Sequence, residues 1–453
     1  MEYQARSAIV RVPSAPLGVD EFDGVAIRMS VGGTVDSVAV LRRDGSPSDE
    51  RVPYQVPAAL ILLAAPFLRP NLFGEQLALV GIGIVAAAVL LALLRRGGGR
   101  TAPDLAPGRR AWVLTTFLGL AYLWILFREA ATGAGSGLRT SFQDIVLTVG
   151  STVGVAMVCR DPRAARWISG GFVALIVIMC ASYTVTALIW AVFGVGTAQI
   201  GVFPVGDLEP QPLFFPLTVS YSEQTVFGTA LPRFTGIGRE SGWMAMYCAA
   251  AYFMAAQLGI RRWWMTALLV IGLLGCISTA GFGIFVVVWA YDAFLRPRGH
   301  GIRLGAYVRQ LSGVVVLAGA AWLAVAAPVL GLAAKRDQNE MSLDERSRAT
   351  EVGWQALSTN PWGGRSSVSQ AGINLISDIA VSGLPFVLLV VAALLVPVTL
   401  RGGAGQSGSI AFVVILTLLL AQPAAGSSWA FCLVVVALLV DDGGGNPSPA
   451  RSP

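Results

Sequence analysis

Apolar runs recur along the whole chain, at roughly 54–69, 75–94, 111–128, 141–159, 168–193, 240–259, 263–278, 281–295, 311–331, 376–400, 408–421 and 427–440. A bilayer core of about 30 Å takes about 20 helical residues, and a shorter run still crosses where neighbours shelter it. The pattern predicts an all-α polytopic membrane protein with about 12 transmembrane helices. Composition agrees: 55% of residues are hydrophobic and 13% charged, with mean hydropathy +0.67. Soluble domains carry about 25% charged residues.

The arginines orient the runs. Arg95, Arg96, Arg100, Arg109 and Arg110 share one connection, and Arg160, Arg163 and Arg166 another. Arg261 and Arg262, then Arg296, Arg298, Arg303 and Arg309, then Arg401 follow. An even number of runs separates these groups, so all fall on one side, which is cytoplasmic by the positive-inside rule. The same rule accounts for the pI near 9.3 without nucleic acid as a partner. Both termini are then cytoplasmic, and residues 1–50 and 443–453 read as disordered tails flanking a membrane domain at 51–442. The first 50 residues lack an apolar h-region, so no cleavable signal peptide is expected. Runs 263–278 and 281–295 must form a tight hairpin at Ser278-Thr279-Ala280-Gly281. The five cysteines lie in or beside apolar runs without a CxxC pair, which predicts neither disulfides nor zinc. The single histidine, His300, sits among cytoplasmic arginines, which excludes an imidazole metal site; no cofactor is expected.

Two long loops remain on the outer side, about 194–239 and 332–375. The first is rich in aromatic residues, Pro and Gly. It suits a lid partly embedded against lipid chains, or a plain ordered loop with some strand character. Outer cations are few under the topology rule, and the two loops hold most of them. The ten are Arg69, Arg128, Arg139, Arg233, Arg239, Lys335, Arg336, Arg346, Arg348 and Arg365. Arginine presents a planar fork that matches phosphate oxygens and stays charged near lipid. Such a cluster beside a membrane points to a polyprenyl-pyrophosphate or lipid-phosphate ligand. The alternative is salt bridging to Glu240, Asp344, Glu345 and Glu351.

In the second loop, Ser342-Leu343-Asp344-Glu345 predicts a capped helix start. The helix reaches about Ser358 and is stopped by Asn360-Pro361. Arg346, Thr350, Gly353 and Leu357 share one face, and Trp354 is expected to pack inward. Asn374 and Asp378 share a face at the mouth of the next run.

These residues resemble a family. Arg346, Trp354, Ala356-Leu357, Asn360-Pro361, Gly363-Gly364, Asn374 and Gly383-Leu384-Pro385-Phe386 are similar to the large outer loop of the O-antigen ligase and polymerase superfamily. Arg233-Phe234-Thr235-Gly236 with Arg239-Glu240-Ser241-Gly242 is similar to that family's segment ahead of its middle helix, and the Ser278-Thr279 hairpin to its helix pair. The resemblance spans roughly residues 75–440. It implies a GT-C-like fold with a large late extracytoplasmic loop containing helices, in the bacterial cytoplasmic membrane. It implies a metal-independent glycosyltransferase whose donor is an oligosaccharide on polyprenyl pyrophosphate, with membrane lipid and a chain-length regulator as further partners. Arg233, Arg239 and Arg346 would hold the pyrophosphate as leaving group, with Arg348, Arg365 and Asn374 completing the donor site. Ligases of the family carry a His late in the loop; here Ala371-Gly372-Ile373-Asn374 stands there, and the Arg after the hairpin Ser is replaced by Ala280-Gly281. The expectation is therefore a polymerase of polysaccharide repeat units. A ligase and a lipid-linked glycan transporter are the alternatives, and Glu240, Glu351 and Asp378 are the candidate bases.

Overall fold

A computed structural model describes residues 53–96, 108–132, 135–205, 208–226, 229–295, 311–316, 318–319, 340–363, 372–399 and 406–443. The expectations for residues 1–50, the tail after Gly443, His300 and its arginines, Arg401, Lys335, Arg336 and Arg365 lie outside these residues.

Among the described residues the apolar runs are helical, because a helix satisfies the backbone of a continuous apolar stretch internally, and other helices lie between them. In order these are α1 (Gln55–Ala64), α2 (Ala78–Arg96), α3 (Arg109–Thr132), α4 (Gly135–Asp144), α5 (Ser151–Val158), α6 (Pro162–Phe193) and α7 (Ser241–Gln257). They continue as α8 (Trp263–Gly275), α9 (Thr279–Ala290), α10 (Glu340–Thr359), α11 (Asp378–Ser382), α12 (Leu384–Thr399), α13 (Ser407–Leu420) and α14 (Ser428–Gly443). A π-turn at Ile145–Gly150 joins α4 to α5. The coarser part of the expectation holds: this is a mostly helical chain with membrane-length apolar helices. Among the described residues four helical stretches are long and apolar enough to cross a membrane: Ala78–Arg95, Arg109–Ala131, Leu138–Val158 and Pro162–Phe193. Other apolar helices, among them Trp263–Gly275 and Ser407–Leu420, are shorter.

Shelter explains the shorter ones. Every residue of α14 from Trp429 to Val440 is buried, enclosed by α3, α5, α6 and α13. Helix α7 is buried on all sides between α6, α8, α9 and α13. Its run of alanines lets neighbours approach: a Cβ on Gly281 of α9 would lie 2.4 Å from that of Ala245. The α8–α9 hairpin turns where expected, with the Ser278 hydroxyl accepting from Gly281 N.

The expectation of an all-α chain needs correction. The first long loop is a four-stranded antiparallel meander, β1 (Gln199–Val205), β2 (Leu208–Phe214), β3 (Thr218–Val226) and β4 (Thr229–Phe234), in spatial order 1-2-3-4. It marks one end of the bundle. The opposite end holds the basic connections, tied by Arg95 to Asp161 (2.9 Å), Arg110 Nε to Asp442 (3.1 Å) and Gln257 to Asp441 (2.6 Å). The arginine groups at 95–96, 109–110, 160–166 and 261–262 therefore share one end, as their spacing requires.

Candidate functional site

The sheet end is organised by the turn after α1. Asn71 is fully buried; its amide donates to Ala65 O (2.5 Å), and the Tyr247 hydroxyl donates to its carbonyl (2.5 Å). Leu72 N donates to Ile237 O (3.0 Å) and Arg239 N to Pro70 O (3.0 Å). Arg69 O accepts from Trp429 N and from the Ser428 hydroxyl, both at 2.9 Å. One turn thus fixes the starts of α7 and α14 together.

Four charges stand on this frame in a chain. Asp144 faces Arg69 at 3.2 Å, Arg69 faces Glu75 at 3.1 Å, and Glu75 faces Arg239 at 2.8 Å. Arg239 is therefore neutralised, and by none of the four carboxylates its sequence context offered. Glu75, Arg69, Asp144 and Gln422 were not read as site residues. Arg69 carried a signal as an outer cation; Glu75 and Gln422 sit in connections with none.

Arg233 and Arg346 are placed differently. Arg233 leaves β4 and its Nε donates to Cys276 O in the α8–α9 turn (3.4 Å). Burial pushes its pKa down, the positive charge of Arg346 pushes the same way, and Glu240 acts in the opposite sense. Arg346 projects from α10 of the other long loop. Among the described residues neither guanidinium has a carboxylate within ion-pair distance. Glu240, ahead of α7, accepts from Gln422 Nε2 at 3.3 Å. Arg233, Arg346 and Glu240 thus come together from three segments. Two guanidiniums within electrostatic reach of each other, neither ion-paired among the described residues, suit a polyanion such as a pyrophosphate.

The remaining candidates are elsewhere. Arg348 is 65% exposed and faces Asp344 at 3.8 Å. Glu351 is exposed on α10. Asn374 is buried and structural: its amide donates to the Thr350 hydroxyl (3.0 Å) and its carbonyl accepts from Ser377 N (2.8 Å). Asp378 is 1% exposed and accepts from Ala424 N (3.0 Å), outside the membrane-spanning helices. Burial raises its pKa to about 7, against the pull of that hydrogen bond.

The motif glycines also have structural work. Gly353 lies against Ile376, where a Cβ would come within 2.2 Å of the carbonyl oxygen. Gly383, at φ +87°, lies against Trp362, where a Cβ would come within 2.4 Å of the carbonyl oxygen. Leu384 N donates to Pro361 O (2.7 Å), and Trp124 of α3 donates to Ser382 O (2.9 Å). Trp354 corrects the expectation of inward packing: it is 56% exposed, because the small Ala349 and Gly353 form the packed face. No family profile, curated protein or solved structure matches this chain.

Proposed function

We propose that this chain is a membrane-embedded, GT-C-like polysaccharide polymerase that joins oligosaccharide repeat units carried on polyprenyl pyrophosphate, at the outer face of a bacterial cytoplasmic membrane. The observation that carries the reading is the meeting of Arg233 and Arg346. Two like charges from separate loops act on each other electrostatically, with Glu240 as the nearby carboxylate and no ion pair to either among the described residues. Holding them together is unfavourable unless an anion joins them.

In the reaction an acceptor sugar hydroxyl attacks the anomeric carbon of the donor. The bond from that carbon to the pyrophosphate oxygen breaks, and negative charge collects on the leaving group. The two preplaced guanidiniums stabilise that charge as it forms. The hydroxyl proton passes to a base, for which Glu240 is the candidate carboxylate beside Arg233. Arg239 acts at one remove, holding Glu75 and the turn that positions Glu240. Arg348, Glu351 and Asn374 take no part in the reacting geometry.

The test is incubation of the purified protein in lipid vesicles with lipid-linked repeat units, followed by gel separation. Wild type gives a ladder, while Arg233→Ala and Arg346→Ala give unreacted donor, a loss of at least 100-fold. Lysine at either position restores little, because an ammonium lacks the planar fork. Full-length ladders from both alanine variants would refute the pyrophosphate role. A single transfer product on a different acceptor would mark a ligase.

A further inference from the structure

We propose that the turn Phe215–Leu217, between β2 and β3, is a re-entrant element that lies among lipid acyl chains against α6. Helix α6 has 32 residues, about 48 Å at 1.5 Å per residue. That exceeds the bilayer core of about 30 Å, and slightly exceeds the 40–45 Å that includes the headgroups. Its first turns carry Arg163 and Arg166, then a partly exposed Trp167, residues suited to the membrane interface. The apolar core then covers about the next 20 residues. Beyond Trp167 every exposed residue of α6 is apolar, including Ile178, Val185, Leu188 and Phe193.

The turn does not sit on the end of this helix; it reaches down its side. Leu217 N donates to the Ser182 hydroxyl (2.9 Å), and the Thr186 hydroxyl donates to Phe215 O (2.8 Å). Ser182 and Thr186 precede the last residue, Phe193, by about 16 and 10 Å along the axis. Both fall within the apolar stretch. Thr218 completes the cluster at 2.9 Å from each hydroxyl. Irregular backbone is tolerated at membrane depth only where the protein satisfies its polar groups, and here two helix hydroxyls do so. The side chains point the other way: Phe215 is 51% and Leu217 52% exposed, and no charged residue occurs from Gln211 to Ser222. The apolar surface continues onto edge strand β1, where Ile200 and Val202 are exposed. It is one surface with the lipid-facing stripe of α6, so its occupant is lipid.

This inference rests on the membrane location alone and not on the glycan reading. Leu217→Cys and Phe215→Cys provide two labelling positions at the turn, and Thr229→Cys marks the exposed tip of the β3–β4 hairpin. The five native cysteines are buried, and labelling of wild type measures their background. Each variant is labelled with a bimane probe in phosphatidylcholine vesicles and quenched with lipid brominated at mid-chain or with aqueous iodide. The proposal expects labels at 217 and 215 to be quenched several-fold more by bromolipid than the label at 229, and several-fold less by iodide. Iodide quenching at 217 and 215 equal to that at 229, with no response to bromolipid, would overturn it.

Discussion

Arg239 and Arg346 have the same side chain and similar settings in the sequence, yet the fold treats them oppositely. Arg239 is held by Glu75, 164 residues away. Arg346 lies within electrostatic reach of Arg233. Glu75→Ala leaves two guanidiniums without their shared carboxylate and is expected to lower stability by about 1–2 kcal/mol, the partly exposed pair being screened by solvent. Arg346→Ala removes a like charge near Arg233 and should leave the melting temperature equal or slightly higher while activity is lost. Melting curves of both variants in detergent check this; equal losses of stability would contradict it. Asp378 adds a pH dependence. Its pKa rises from 3.8 to about 7 on folding, so the native state keeps a proton that the unfolded chain has released. Stability therefore falls as pH climbs from about 4 to about 7 and levels off above, by at most about 1.4 kcal/mol per unit. Asp378→Asn should remove that slope, gaining over wild type at pH 8 but not at pH 4. Parallel curves for the two proteins would show that the carboxyl stays ionised. At this scale the sequence identified the cations and missed their partners. Which carboxylate meets Arg239 depends on a turn after α1 that no local spacing reveals.

Among elements, the late loop is fastened to the bundle by contacts that only glycine permits. Gly383 abuts Trp362 with a positive φ, and Gly353 abuts Ile376. Gly383→Ala should release the α10 segment from α12, seen as faster proteolysis between residues 359 and 384 with membrane insertion unchanged. Wild-type resistance would show that the contact does not hold the loop. The extent of α10 was legible from its Asn360-Pro361 stop and to within two residues at its start, although the helix begins at Glu340 and takes Ser342 inside it. Its orientation differs from the expectation, because Ala349 and Gly353, not Trp354, occupy the packed face. In a membrane bundle small residues mark close approach better than large ones. The meander was legible only as some strand character in its loop, because its prolines and glycines interrupt the alternation that identifies strands.

At the scale of the whole molecule, the apolar runs and arginine groups defined the helices and the basic end. Among the described residues, four helical stretches have membrane length by themselves. Helix α14 is apolar and buried from Trp429 to Val440, with other helices around it, so hydrophobicity there reports burial in protein as much as contact with lipid. Removing residues 1–50 is expected to leave insertion and polymer formation intact; loss of activity in a normally inserted variant would give that segment a role. The central claim is that the two long loops join Arg233 and Arg346 around a lipid pyrophosphate, and equilibrium binding of polyprenyl pyrophosphate to the protein in nanodiscs tests it most directly. The account predicts saturable binding by wild type, weakened at least tenfold in the Arg233→Ala/Arg346→Ala double variant and for the same lipid bearing no phosphate. Equal affinity of wild type and the double variant would contradict it.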